Sequence, residues 1–341
     1  MIYYCGLIIL IFIFRATSSF FKDCERKAFF LPTAIAVILF QGIRSFSVGT
    51  DLSVYISAYE KIGSEVAFSF NAKYQNFETG YVLLNKILYL AGFSERAFLI
   101  AITILIQAPI FFVMYKYSVN PLLSVLSYFA FGNFIVTFSG LRQSIAMSLC
   151  FAAYVFIKER KVVRFIVLTL LACFFHKSAV LCFALYPLYC IKIKNSALPF
   201  ILIGIALCFL FKEKIVGFLS FVYYGKEADI EPNGSYTMFF MYLALYIVSI
   251  FIEGSEDKSG LSNILLMLVF IYSLSSVHET IVRVAYPLSL YISLLIPEIV
   301  AGINVKTEKD GLLLNLLCNA LCVACFLFFV GDLATLPFGF L

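Results

Sequence analysis

Long apolar runs separated by short polar intervals fill this chain from end to end. Runs of that kind belong in a bilayer, where a helix satisfies all its backbone polar groups internally. Twelve windows stand out: 2–14, 28–43, 97–114, 122–138, 143–157, 163–175, 178–191, 197–211, 237–252, 261–277, 281–300 and 312–330. They predict an all-α, polytopic integral membrane protein with about twelve transmembrane helices, all in a single transmembrane domain spanning residues 1–341. A thirteenth apolar piece, 81–93, is short and carries Asn85 and Lys86. It reads as an interfacial or re-entrant segment. The first run has no positive segment before it and no small-residue cleavage site after it, so it is expected to stay as a span. No repeat of fixed period is visible.

Composition strengthens this picture. The 341 residues are 62% hydrophobic and 13% charged, with a mean hydropathy of +0.99, whereas soluble domains carry roughly a quarter charged residues. No stretch is left for a separate soluble domain. The net charge of +5 does not point to nucleic acid, and the placement of the bases says more than their sum. With 81–93 counted as non-spanning, Arg15 and the breaks at 22–27, 116, 158–164, 192–194, 258 and 306–309 share one side and hold 14 of the 25 Lys and Arg. The dense clusters Lys22/Arg26/Lys27 and Lys158/Arg160/Lys161/Arg164 mark that side as cytoplasmic. Most of the ten Cys sit singly inside apolar runs, where a thiol acts as a small apolar group. Cys318, Cys322 and Cys325 share a helix face, but no His or carboxylate joins them. No metal site and no cofactor is expected.

Two polar intervals fall on the opposite, outer side. The longer, about 44–80, begins Arg44-Ser45-Phe46-Ser47-Val48-Gly49-Thr50-Asp51 and holds four acids, Asp51, Glu60, Glu65 and Glu78, with the bases Arg44, Lys61 and Lys73. The second, about 212–236, includes the turn signal Pro232-Asn233-Gly234 and a short glycosylation-type match at Asn233-Gly234-Ser235. It fits a lid or an interfacial helix equally well. Around these loops, polar groups collect at predicted helix ends: Arg142-Gln143, His176, and His278 with Glu279 and Arg283. Each has an ordinary explanation, such as an Arg snorkelling to head groups or an acid at a helix N-terminus. Together they place three Arg, several carboxylates and both His on one face. That is suitable equipment for an anionic, lipid-linked head group: Arg forks hold phosphate, and a carboxylate or imidazole takes a proton from a hydroxyl. Tyr55, Tyr59, Tyr81, Tyr223, Tyr224 and Tyr286 lie at the same level and are of the type that stacks on sugar faces, although Tyr is enriched at membrane interfaces in any case.

The order of these pieces resembles the EpsG-like family of bacterial polysaccharide polymerases, which includes O-antigen polymerases of the Wzy type. The matching segments are Arg44 with Gly49-Thr50-Asp51 and Tyr55, Glu78 with Gly80-Tyr81, Arg142-Gln143 with Ala146, Phe175-His176-Lys177-Ser178-Ala179, and Arg283 before Tyr286-Pro287. The resemblance implies a metal-independent glycosyltransferase of the inner membrane. It would move a glycan from undecaprenyl diphosphate onto a lipid-linked repeat unit at the periplasmic face, with a chain-length-regulating co-polymerase as a possible partner. Carried onto this sequence, it gives Arg44, Arg142, Gln143, Arg283, His278, Tyr55 and Tyr81 binding roles, with Asp51, Glu78 or His176 as base and Asp51 ranked first. Rival readings are an O-antigen ligase-type transferase, a flippase or exporter of lipid-linked oligosaccharide, and a lipid acyltransferase. Charges gathered at one face, and not at midplane, weigh against a transporter.

Overall fold

The computed structural model describes residues 2–65, 77–224 and 236–332, and every regular element among them is helical. Two helices, Glu95–Tyr117 and Glu308–Val330, have 23 residues each with mean hydropathies of 2.5 and 2.4, long and apolar enough to cross a membrane. At 1.5 Å per residue each reaches roughly 35 Å. Their settings differ, since 56% of the apolar window of Glu95–Tyr117 is buried inside the protein and only 22% of that of Glu308–Val330. The first is a central strut and the second a peripheral one.

Several of the twelve windows are interrupted helices. The 122–138 window divides into Pro121–Ala130 and Asn133–Val136 around Gly132, whose φ of 72° lies where glycine is favoured. The 143–157 window becomes Leu141–Ala152 and Tyr154–Lys158, and 178–191 starts as the 3-10 helix Lys177–Ala184 before Leu185–Cys190. The 281–300 window is a pair of helices, Thr280–Ser289 and Ile292–Ala301, bent by 50°. An apolar run records burial and not continuity, so hydropathy alone does not show these breaks.

The almost wholly buried helix Leu141–Ala152 is the hub of the bundle. It repairs two helices that contain proline. Pro287 has no N–H to give the carbonyl four residues back, and the Gln143 side-chain amide donates to that Arg283 carbonyl instead. Pro109 likewise frees the Leu105 carbonyl, which accepts from Ser148 at 3.3 Å. On the other flank a buried polar cluster joins Gln41, Gln107, Thr137 and Tyr128: Gln107 donates to Gln41 Oε1 at 2.7 Å, Gln41 to Thr137 Oγ1 at 3.0 Å and Tyr128 to Gln107 Oε1 at 3.0 Å. All four side chains are closed to solvent, so each partner removes a desolvation cost that an apolar setting would otherwise impose.

Contacts sort the breaks between helices into two ends. At one end Arg26 donates to the Met114 and Tyr115 carbonyls, Lys116 meets Glu159 at 3.2 Å and Lys158 pairs with Asp257. There too Ser255 bonds Glu298 at 2.8 Å and Asn120 bonds Asn315 at 2.8 Å. The breaks at 22–27, 116, 158–164, 192–194 and 258 therefore lie together. At the other end, Thr50 N–H donates to Ser139 Oγ at 3.1 Å, and Arg96 donates to the Gly42 and Arg44 carbonyls at 3.2 and 2.5 Å.

The 44–80 interval is not a plain loop, for it contains the helix Leu52–Ser64, and the short 81–93 piece forms Thr79–Leu90 against it. Lys86 Nζ ties the pair by donating to the Gly63 and Glu65 carbonyls at 2.7 and 2.6 Å, where the first helix leaves carbonyls without intrahelical partners. Thr79–Leu90 starts at Glu78 beside Arg142 and is followed by Arg96 beside Arg44, so both its approaches are tied to the same end of the bundle.

Candidate functional site

Three separated segments meet at Glu78. The residue precedes the helix Thr79–Leu90, but its carboxylate caps no amide of that helix and turns sideways. There it forms an ion pair with Arg142, which stands at the start of the hub helix after Gly140. The other carboxylate oxygen lies 3.0 Å from His176 Nδ1 and accepts from the Lys177 backbone N–H at 3.3 Å. His176 is placed by a change of backbone: Val162–Phe175 ends there in extended geometry and the 3-10 helix begins at once. Gly80 makes the approach possible, because a Cβ at that position would sit 2.6 Å from the Phe174 carbonyl oxygen.

An aromatic bed supports the charges. Arg142 lies over the Phe77 ring at 4.4 Å and near the Tyr55 ring at 6.0 Å. Phe77 stacks on Tyr55, and Tyr81 meets both rings edge-on, each at 5.5 Å. The Glu78 side chain is only 8% exposed and that of Arg142 18%, so water screens the pair weakly. Burial alone would raise the carboxyl pKa, but the His176 imidazole 3.0 Å away and the Arg142 charge outweigh it and bring it from 4.5 down to about 2. The sign follows. A depressed carboxyl stabilises the fold fully above its ordinary value and loses that contribution as pH falls from 4.5 toward 2. Thermal unfolding of wild type and Glu78→Gln should show a constant wild-type advantage from pH 8 to about 5 that shrinks below pH 4.5. A difference independent of pH would mean that the ionised carboxylate contributes nothing.

The remaining predicted residues fall into distinct places. Asp51 is exposed at the start of Leu52–Ser64, and its side chain makes no cap bond. His278 is a helix cap, with Nδ1 accepting from the Thr280 N–H at 3.1 Å. Arg283 is exposed on the next helix, Glu279–Ser289, which packs on both the hub helix and the 3-10 helix after His176. Gln143 is held by the Arg283 carbonyl. Arg44 is completely buried, donating to the Val48, Gln41 and Phe138 carbonyls at 3.1, 2.5 and 2.9 Å with its guanidinium 4.8 Å from the Phe138 ring. Gly49 serves the same closure: its φ of 117° lets the loop press on the Phe138 carbonyl. Of the second outer loop, Lys212–Tyr224 is helical, while Pro232-Asn233-Gly234-Ser235 lies outside the described residues, as does Lys73. Phe77 and Arg96 are not among the residues singled out from the sequence. Phe77 directly before Glu78 was the available signal.

The matching segments at Arg44, Glu78, Arg142, His176 and Arg283 thus occupy one end of a helical bundle, and the sequence model of the EpsG family matches residues 27–339. The chain belongs to the EpsG family. EpsG proteins are polysaccharide polymerases, and with its apolar helices this EpsG-family chain is a membrane protein with a polymerase-type, glycosyltransferase-like function. No curated protein and no solved structure gives a significant match to the chain.

Proposed function

We propose that this EpsG-family chain polymerises lipid-linked repeat units, moving a growing glycan from undecaprenyl diphosphate to a hydroxyl of the next unit at the periplasmic face of the inner membrane. The observation that carries the reading is the meeting of Glu78, Arg142 and His176, from three segments, at the end of the bundle opposite the basic clusters. In the twelve-span topology that end faces outward, because Lys- and Arg-rich breaks remain in the cytoplasm. A chain-length-regulating co-polymerase belongs to the same proposal as a partner.

In the transfer, the acceptor oxygen bonds to the anomeric carbon while that carbon's bond to the diphosphate oxygen breaks, and the electron pair leaves with the diphosphate. His176 takes the hydroxyl proton on Nε2. Glu78, ionised and beside Nδ1, favours the tautomer with the proton on Nδ1 and supports the imidazolium that forms. A carboxyl held near pKa 2 is a weak base, which leaves Glu78 as the partner of the imidazole. Asp51 is exposed and outside the Glu78–Arg142–His176 contacts, so we give the base role to His176 and not to Asp51. Arg142, steadied by Glu78 and the Phe77 ring, turns its guanidinium charge toward the leaving phosphate, and Arg283 adds a second positive charge. Tyr55 and Tyr81 shape the wall beside the acceptor. Arg44 and Gln143 hold the backbone on which the site stands.

Complementation tests the reading in cells lacking the chain. Wild type should restore a ladder of glycan lengths, whereas Arg142→Ala should leave single repeat units transferred to their final carrier, a loss of about 10²–10³-fold in elongation. Absence of any exported unit would assign the chain to transport instead.

A further inference from the structure

A charged concavity lies at the end of the bundle opposite Glu78. A cavity of about 490 Å³ opens there, bordered by the bases Arg15, Lys22, Arg26 and Lys27 and by the acids Asp23 and Glu25. Its charges are not all equally engaged. Arg15 pairs with Glu25, and Arg26 is tied to the Met114 and Tyr115 carbonyls. Lys22 and Lys27 are exposed, and among the described residues neither has a hydrogen bond or an ion pair. The 18-residue helix Glu25–Gly42 begins inside the cavity, and its Cys24 N-cap supplies no side-chain bond to the first amides. Unpaired first-turn N–H groups and the helix dipole favour an anion at that point. Immediately before Lys22, Phe20 and Phe21 are 83% and 56% exposed. Aromatic rings beside exposed lysines are how a protein meets the boundary between acyl chains and head groups.

We propose that this cavity binds the phosphate of an anionic phospholipid in the cytoplasmic leaflet. Lys22, Lys27 and the amides at the start of Glu25–Gly42 contact the head group, and Phe20 and Phe21 rest on the acyl region. The volume suits a glycerophosphate head group. Four bases against two acids leave the concavity positive. The exposed rings favour a lipid over a soluble phosphate, which has no apolar part to cover them. This inference requires a bilayer around the chain with the basic clusters on its cytoplasmic side, and stands independently of the polymerase reading.

Native mass spectrometry of the full-length chain in detergent, titrated with phosphatidylglycerol or phosphatidylcholine, reads the site directly. Expected are preferential retention of phosphatidylglycerol, a roughly ten-fold weakening in the Lys22→Ala/Lys27→Ala double variant, and no change in a Lys306→Ala/Lys309→Ala control at the same end. Inorganic phosphate at equal concentration should not displace the lipid. Both altered lysines in each pair are exposed, and an unchanged melting midpoint confirms that the fold is intact. Equal retention of the two lipids, equal weakening in the control, or displacement by inorganic phosphate would each overturn the proposal.

Discussion

Glu78→Gln is expected to reduce polymerisation by about 10²–10⁴-fold while the protein still accumulates in the membrane. Gln keeps the shape of the side chain and loses its charge. Two effects then act together: Arg142 loses the carboxylate that fixes it over Phe77, and His176 loses the anion beside Nδ1. Because Arg142 remains partly exposed, water takes up part of its charge, and the cost in stability should stay near 1–3 kcal/mol. His176→Ala should match the loss in activity with a smaller effect on stability. Asp51→Asn should remain within a few-fold of wild type, since Asp51 is exposed and makes no cap bond. The informative contrast is between the two acids. Full ladders from Glu78→Gln together with none from Asp51→Asn would return the base role to Asp51 and leave Glu78 as a structural ion-pair partner.

Arg44→Ala should fail differently, through the fold. The guanidinium serves three carbonyls from two segments and has no exposed surface. Removing it leaves buried acceptors without donors and a void beneath Phe138, at a cost of about 3–5 kcal/mol. In a chain of this length, that lowers the melting midpoint by roughly 4–7 °C. Lys in its place carries the charge but lacks the planar fork that reaches three acceptors, so Arg44→Lys should recover only part of the loss. Polymer and protein should fall in proportion in both variants, measured by membrane abundance and glycan length in the same cells. A stable Arg44→Ala protein that makes no polymer would mean that Arg44 acts on substrate.

These two residues also show what the sequence makes legible. Charged residues at the ends of apolar runs are costly enough to be informative, so Arg142, His176, Glu78 and Arg44 could be assigned to one end of the bundle, and Lys116, Lys158 and Lys258 to the other. What each charge touches could not be read. Arg44 and Arg142 look alike as Arg residues at helix mouths, yet one faces carbonyls 4 and 94 positions away and the other a carboxylate 64 positions away. Those pairings depend on tertiary packing that no local pattern encodes. Gln143 is similar: as a polar residue at a helix start it reads as a ligand-binding amide, and its bond to the Arg283 carbonyl that Pro287 leaves open emerges only in the packed fold. The bend between Thr280–Ser289 and Ile292–Ala301 was hidden because buried helix ends are as apolar as helix middles.

The most direct measurement is made outside the cell. The purified full-length chain is placed in lipid vesicles with one undecaprenyl-diphosphate-linked repeat unit, and product length is followed for wild type, Arg142→Ala and His176→Ala at equal protein. The Glu78 site requires that wild type produce polymer and release undecaprenyl diphosphate, in the presence of a metal chelator as well, and that both variants stall at the single unit. Polymer of ordinary length from Arg142→Ala and His176→Ala would place the chemistry elsewhere in the protein.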